Sequence, residues 1–368
     1  MIKWFLAILF TISASTSLFG QGGVSDSTSA QKKDKGSWVP LPVILASPEN
    51  GVGFGALGLR LFKFDYENTL TRTSNIQAFV IYTTRNQLLL SPSYTIFTPG
   101  EKYLLTGEIN YNIFPDFFYG IGDDTPDENE EEVEYNILSF EHRFLKRIKP
   151  NFFSGFEFRY FNRFNIERED QSLLEQQQVT GFDGSIVAGG GPVLVYDTRD
   201  IIVNPSSGHY LEFSAFFHGE FLGGEYNFER YRIDARKYFQ LKSKRRQILA
   251  FQFVGNFVNG TAPFKQLSEL GGDQIMRGYF QGRFRDQHLM ALQGEYRFDI
   301  WRRFGAVVFA GLGDVANEFN DFDFQNIKPS YGGGLRFAVN KKERVNVRID
   351  FGVGRETTGF YFNITEAF

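Results

Sequence analysis

The chain has 368 residues, a formal net charge of −4, no cysteine and 43 phenylalanines. Without cysteine there is no disulfide framework, no thiolate-bound metal and no lipid-modified cysteine anchor. The mildly acidic balance lacks the basic footprint of nucleic-acid binding, and the length allows one large domain or two small ones.

The first predicted element is a secretory signal over residues 1–20. Lys3 supplies a short positive region, Trp4 to Ile12 an apolar core, and Ser13 to Gly20 a small, polar stretch suited to cleavage before Gln21. The apolar run is too short for a spanning helix, and no later segment approaches the roughly 18 apolar residues one requires. Any membrane embedding must therefore use strands, and strands in lipid must close into a barrel. Residues 21–36, rich in Ser, Gly, Lys and Asp, read as a flexible linker.

Sixteen extended segments follow, near 37–46, 51–65, 72–84, 87–98, 101–114, 133–146, 151–165, 183–197, 208–219, 226–240, 246–258, 288–300, 303–314, 328–339, 343–353 and 358–368. The clearest is 344–353, where Val345, Val347, Ile349, Phe351 and Val353 share one face and Arg344, Asn346, Arg348 and Asp350 the other. The pattern predicts an all-β fold, a transmembrane antiparallel barrel of 16 strands with lipid outside and water inside. With Phe368 in the periplasm, the long connections 115–132, 166–182, 259–287 and 315–327 fall outside. The short connections fall inside, joined there by one longer segment, the ten residues 198–207. A soluble sandwich would not carry apolar side chains opposite the charged face on strand after strand.

The first segment carries Pro40 and Pro42, which cannot donate to a ladder. Its partner, 358–368, alternates strongly. Phe360, Phe362, Ile364 and Phe368 are expected on one face, with Tyr361, Asn363 and Thr365 on the other. A poor edge against a good one predicts a weak seam.

No catalytic constellation emerges. His142, His209, His218 and His288 lie far apart, and there is no zinc-helix, nucleophile-elbow or P-loop motif. An enzyme is not expected, nor is a cofactor or metal. Gly189-Gly190-Gly191-Pro192 sits within a strand and reads as close packing. The acidic stretch Asp123–Glu134 could hold a divalent cation weakly, but a mobile solvated loop is the plainer reading.

The most informative stretch runs from Glu269 to Phe298. A polar, glycine-rich loop holds Met276-Arg277-Gly278-Tyr279, and the strand after it alternates apolar residues with Gln293, Glu295, Arg297 and Asp299. Further alternating charges lie at Arg230, Arg232, Asp234 and Arg236, and at Arg344, Arg348 and Asp350. Any wet barrel interior holds mixed charges. Such charges could also capture the loop arginine, whose planar fork suits a carboxylate.

This run resembles the BamA/TamA-type outer-membrane assembly barrels, the bacterial surface antigen barrels. The likeness rests on Tyr196-Asp197-Thr198-Arg199-Asp200 with Pro205 and Gly208, on the Arg277-Gly278-Tyr279 tripeptide, on Glu295-Tyr296-Arg297-Phe298, and on a last strand ending in Phe368. It covers roughly the C-terminal half. The resemblance implies that the sixth outer loop folds into the lumen and that Arg277 is captured there, with Glu295, Arg297 and Asp314 as candidates. One departure stands out: where the family carries FxDxG, this chain reads Phe309-Ala310-Gly311-Leu312-Gly313, so Gly311 replaces the aspartate and Asp314 is displaced.

The resemblance further implies a place in the bacterial outer membrane, among its lipids, and a role in inserting or translocating client outer-membrane proteins through a lateral seam, with or without periplasmic partner subunits. The alternative is a pore or structural barrel on the same scaffold. Residues 21–36 leave no room for the POTRA repeats such barrels usually carry.

Overall fold

The computed structural model describes residues 38–64, 71–169, 172–242, 245–323, 325–341 and 344–368. The signal expected at 1–20 and the linker expected at 21–36 lie outside the described residues. All strands belong to the compact unit Gly36–Phe368.

The strands begin with β1 (Trp38–Ser47), β2 (Gly51–Phe62), β3 (Ser74–Thr83), β4 (Leu88–Phe97), β5 (Tyr103–Phe118) and β6 (Glu131–Lys149). Next come β7 (Phe152–Arg168), β8 (Ser185–Asp197), β9 (Gly208–His218), β10 (Phe228–Gln240), β11 (Gln247–Gly260) and β12 (Ser268–Leu270). The chain ends with β13 (Phe284–Asp286), β14 (His288–Trp301), β15 (Phe304–Ala316), β16 (Lys328–Asn340), β17 (Val345–Val353) and β18 (Thr358–Ile364). Among the described residues, β1–β11 and β14–β18 close into one antiparallel barrel of 16 strands, with β14 beside β11 and β18 returning to β1. β12 and β13 form a separate hairpin-like pair inside the long β11–β14 connection. Three-residue strands leave no periodicity to read, so this pair was not expected.

Alternation drives the closure. On β14, Gln293, Glu295 and Arg297 are buried while Leu292 is exposed. On β17, Arg348 and Asp350 are buried while Ile349 and Phe351 are exposed. A wall that is apolar outside and charged inside suits lipid around it, and closure leaves few backbone groups unpaired.

Three points bear on the sequence-based expectation, two as differences and the second as an agreement. First, β5, β6 and β7 run longer than predicted. Phe117 and Phe118 pair with Glu132 and Glu131, so part of the acidic stretch is strand. Its remaining turn is tied down by Arg283, which donates to Asp127 Oδ1 at 2.5 Å and to the Thr125 carbonyl at 2.7 Å. Second, Gly189 and Gly191 are packing glycines. A Cβ at Gly191 would sit 1.7 Å from the Ala215 carbonyl oxygen, and one at Gly189 2.3 Å from the His218 ring.

Third, β18 ends at Ile364. Thr365 takes a left-handed φ of 72°, which breaks the alternation, and the tail leaves the wall. Phe368 is therefore buried against Tyr238, Ile248 and Ala250 and does not share the outer face of Phe360. Its carbonyl accepts from Arg297 Nη2 at 2.9 Å. Glu366 accepts from Arg336 Nε and Asn346 Nδ2, both at 2.8 Å. β1 and β18 share one register position, Ala46 opposite Phe362. On its other side β1 runs beside β2 from Trp38 opposite Arg60 to Ser47 opposite Gly51.

Candidate functional site: the 261–287 loop and the β1–β18 seam

The loop between β11 and β14 is anchored at its base by polar side chains. Ser268 Oγ lies 3.1 and 3.0 Å from the Asn256 and Gln287 carbonyls, which share its single O–H. Lys265 Nζ lies 2.9 Å from both Asp116 and Glu269. Burial pulls the Lys265 ammonium downward, but these two carboxylates outweigh it and hold its pKa above the ordinary value.

Beyond the base, backbone geometry shapes the tip. Met276 and Gly278 both have positive φ, 55° and 115°. A Cβ at Gly278 would lie 2.7 Å from the Val353 backbone, and one at Gly352 would lie 2.6 Å from the Arg277 carbonyl. Glycine on both sides of the contact lets two backbones touch. Gly354 makes the same room for the Tyr279 ring. Sequence reasoning singled out Gly278 but missed Gly352 and Gly354. Glycines two apart at the end of a predicted strand were the available signal.

Arg277 is 1% exposed. Its Nη1 donates to Asp350 Oδ2 at 2.6 Å, its Nη2 donates to Glu295, and its guanidinium stacks 3.6 Å over the Phe309 ring. Arg297 Nε holds the second Glu295 oxygen at 2.6 Å. Arg336 and Arg348 share Asp350, at 2.5 and 3.1 Å. Arg348 also reaches Asp273 of the loop at 2.7 Å. The cluster is balanced: Arg277, Arg297, Arg336 and Arg348 against Asp273, Glu295, Asp350 and Glu366. Balance matters because removing one member of a buried pair leaves an uncompensated charge, which costs about 3–5 kcal/mol.

Of the candidate partners for Arg277, the structure brings Glu295 to it directly and Arg297 through Glu295. Asp314 is not brought there. It lies three residues past Gly311, on the opposite face by strand alternation, and its carboxylate accepts from Lys328 Nζ at 2.6 Å. The second carboxylate comes from Asp350, two strands further round the wall. The space at Gly311 is taken by the loop itself, since a Cβ there would lie 3.1 Å from Met276 Sδ. Of the remaining charges, Arg230 donates to the Gln266 carbonyl of the loop, while Asp234 and Arg236 pair with each other at 2.6 Å. Arg344 precedes β17 and pairs with Asp200 of the 198–207 segment at 2.6 Å.

The rest of the tip reaches both sides of the seam. Gly278 N–H donates to Tyr361 Oη at 2.9 Å, and Tyr279 Oη donates to the Pro329 carbonyl at 2.8 Å. Asp273 accepts from Asn363 Nδ2 of β18 at 2.6 Å. Gln281 N–H donates to Glu49, in the β1–β2 turn, at 2.8 Å. Burial holds the Glu49 carboxyl above the usual range, the bonds from Ser47 and Gln281 opposing it. Pro40 and Pro42 are exposed on β1, Phe360 is exposed on β18, and Phe362 is half-buried opposite Ala46. No group of His, Cys, Asp and Glu that could hold a metal occurs among the described residues.

An antiparallel 16-strand wall with an apolar outer face and a charged inner one defines an outer-membrane β-barrel. The chain belongs to the Omp85 superfamily, whose domain model matches residues 70–368. Among solved structures it is similar to BamA from Haemophilus ducreyi lacking POTRA domains 1–3. The TM-score is 0.59 at 14% identity, over 90% of this chain and 70% of that one. It is also similar to CdiB from Acinetobacter baumannii, with a TM-score of 0.58 at 13% identity over 89% of this chain and 59% of that one. No curated protein matches it by sequence.

Proposed function

We propose that this Omp85 barrel inserts or translocates outer-membrane polypeptides through the junction of β1 and β18, and that the loop tip at Arg277–Tyr279, folded into the lumen, bolts that junction shut. The observation that carries the reading is the seam itself. β1 meets β18 at Ala46 alone, so from Trp38 to Leu45 it presents an edge with no β18 partner. An unpaired edge is a template for a further strand. Asp273 and Gln281 of one loop hold the two sides of the junction, so movement of the tip would release both.

The test combines depletion with a lock. Depletion should lower the levels of other barrels in an outer-membrane proteome. Cysteines at Ala46 and Phe362, which face each other across the seam, suit a disulfide because opposed Cα atoms in an antiparallel pair fall within its range. Oxidation should then mimic depletion and reduction should reverse it. An unchanged proteome in both arms would favour a pore or structural barrel.

A further inference from the structure

The luminal wall is not uniform. On many strands inward positions are charged or polar, as at Glu157, Glu212, Asp234, Gln252, Glu295 and Arg348, and inward apolar side chains on β6–β9, such as Leu145, Phe153, Val193 and Phe216, are buried against one another. Near the seam the inward apolar side chains Leu45 on β1, Leu57 on β2 and Phe79 on β3 stay half-open, and only Ile81 on β3 is fully buried. These four line a cavity of about 480 Å³. Val43 and Ala46 extend this apolar side, while Ser47, Glu49, Asn50 and Gln77 of the barrel and Asn363 and Thr365 near its C-terminal end add polar groups. Asp273, Gln274 and Gln281 of the loop close it from within, while Ile44, Phe362 and Ile364 belong to the bilayer-facing side of the seam. The cavity thus lies against the β1–β18 junction, where Ala46 opposite Phe362 is the one register position among the described residues.

Apolar side chains left open inside a water-filled barrel are unfavourable unless something covers them, and apolar surface of this kind marks a binding site. The volume falls within the range of small-molecule sites. A polypeptide segment in this space would need partners for each backbone N–H and C=O. Much of its polar lining is already bonded: Glu49 to the Gln281 N–H, Asp273 to Arg348 and Asn363, Asn50 to Ser47, and Gln77 to Ser93. An acyl chain needs apolar contact only, and the bilayer lies directly outside Ile44 and Ile364. We infer that this cavity is a lipid site that takes one phospholipid acyl chain, admitted from the membrane through the unpaired part of the seam. The site stands whether or not the barrel assembles proteins.

The chain has no cysteine, so single labels are clean. A fluorophore on Leu57→Cys, in the full-length protein in vesicles of phospholipids brominated along the chain, reports acyl contact by quenching. Leu292→Cys, facing the bilayer, and Asn110→Cys, on the polar luminal side, set the two limits. Quenching at position 57 should approach that at 292 and exceed that at 110 severalfold. Quenching by aqueous iodide in place of brominated lipid would mean a water-filled cavity and overturn the site. Protection from both quenchers would mean that another part of the polypeptide fills it, and would also overturn it. Because a label can block the cavity, a second measurement uses none. Native mass spectrometry of the detergent-purified protein should show a retained phospholipid that Phe79→Gln with Ile81→Gln removes, and equal retention would refute the proposal. Neither readout depends on barrel assembly in cells, so this inference and the functional reading can fail separately.

Discussion

Along β5 and β6 the ladder runs without a break from Tyr103 opposite Lys146 to Phe118 opposite Glu131, whereas β1 and β18 share one register position. Both junctions close the same barrel. In the first, backbone hydrogen bonds are made residue by residue, and in lipid each one left unmade would cost several kcal/mol. In the second, the work passes to separate ties between the 261–287 loop and seam side chains: the Asp273 carboxylate on Asn363, the Gly278 N–H on Tyr361 and the Gln281 N–H on Glu49. A ladder opens only cooperatively. A set of side-chain ties opens when the segment that carries them moves. Perturbing the tip should therefore act on the seam and spare the β5–β7 wall.

Arg277→Ala should have the largest effect. It leaves Glu295 and Asp350 buried with one guanidinium fewer, at a cost of about 3–5 kcal/mol. The folded form should lose its heat-modifiable gel mobility at a lower temperature. A cysteine at Leu45 should become reactive while one at Leu138 on β6 does not change. Equal protection of both positions in Arg277→Ala would break the comparison. Arg277→Lys should restore little, because an ammonium cannot fork between two carboxylates and stack on Phe309 at once.

Gly352→Ala sharpens the same contrast through shape alone. Its Cβ would press on the Arg277 carbonyl from 2.6 Å, an overpacking cost of about 1–3 kcal/mol. Limited proteolysis within 271–283 should speed up, with the rest of the barrel uncut. Unaltered resistance would mean that the tip is held by its base and not by its seat on β17.

The smallest effect is expected at Glu49. Burial favours its neutral form, so the folded state keeps this proton to a higher pH than the unfolded state does. The sign follows: its contribution is most favourable at acid pH and declines as pH rises past the ordinary carboxylate range. Glu49→Gln keeps an oxygen for the Gln281 N–H and removes the titration. The variant should melt with less dependence on pH between about pH 5 and about pH 8, gaining slightly at the upper end. A pH profile that overlays the wild type would exclude Glu49 as its source.

The barrel was legible because alternation is a local property. Val345 to Val353 declares its two faces without reference to any other strand, and each strand predicted this way is present. The inward phase of Glu295 was legible for the same reason, while the Arg277 tripeptide stood out through its resemblance to the BamA/TamA-type barrels. Asp350 was visible as an inward charge but not as the second partner of Arg277, since periodicity says which face a residue takes and not what lies across the barrel from it. Asp314 drew attention as a nearby carboxylate, yet an odd spacing from Gly311 had already put it on the other face. The turn at Thr365 left no mark, because threonine rarely adopts a left-handed φ and nothing around it signals a break.

That turn also sets a timetable. Phe368 rests on Tyr238, Ile248 and Ala250 of β10 and β11, which lie on a distant arc of the ring from β18. Its seat does not exist in a flat sheet and appears only once the wall has curled round. Contacts so far apart along the chain form late, after loop closure has been met elsewhere. Residues 365–368 therefore reach their seat only when the ring is complete, and a chain still open at the seam would show them unprotected against hydrogen exchange.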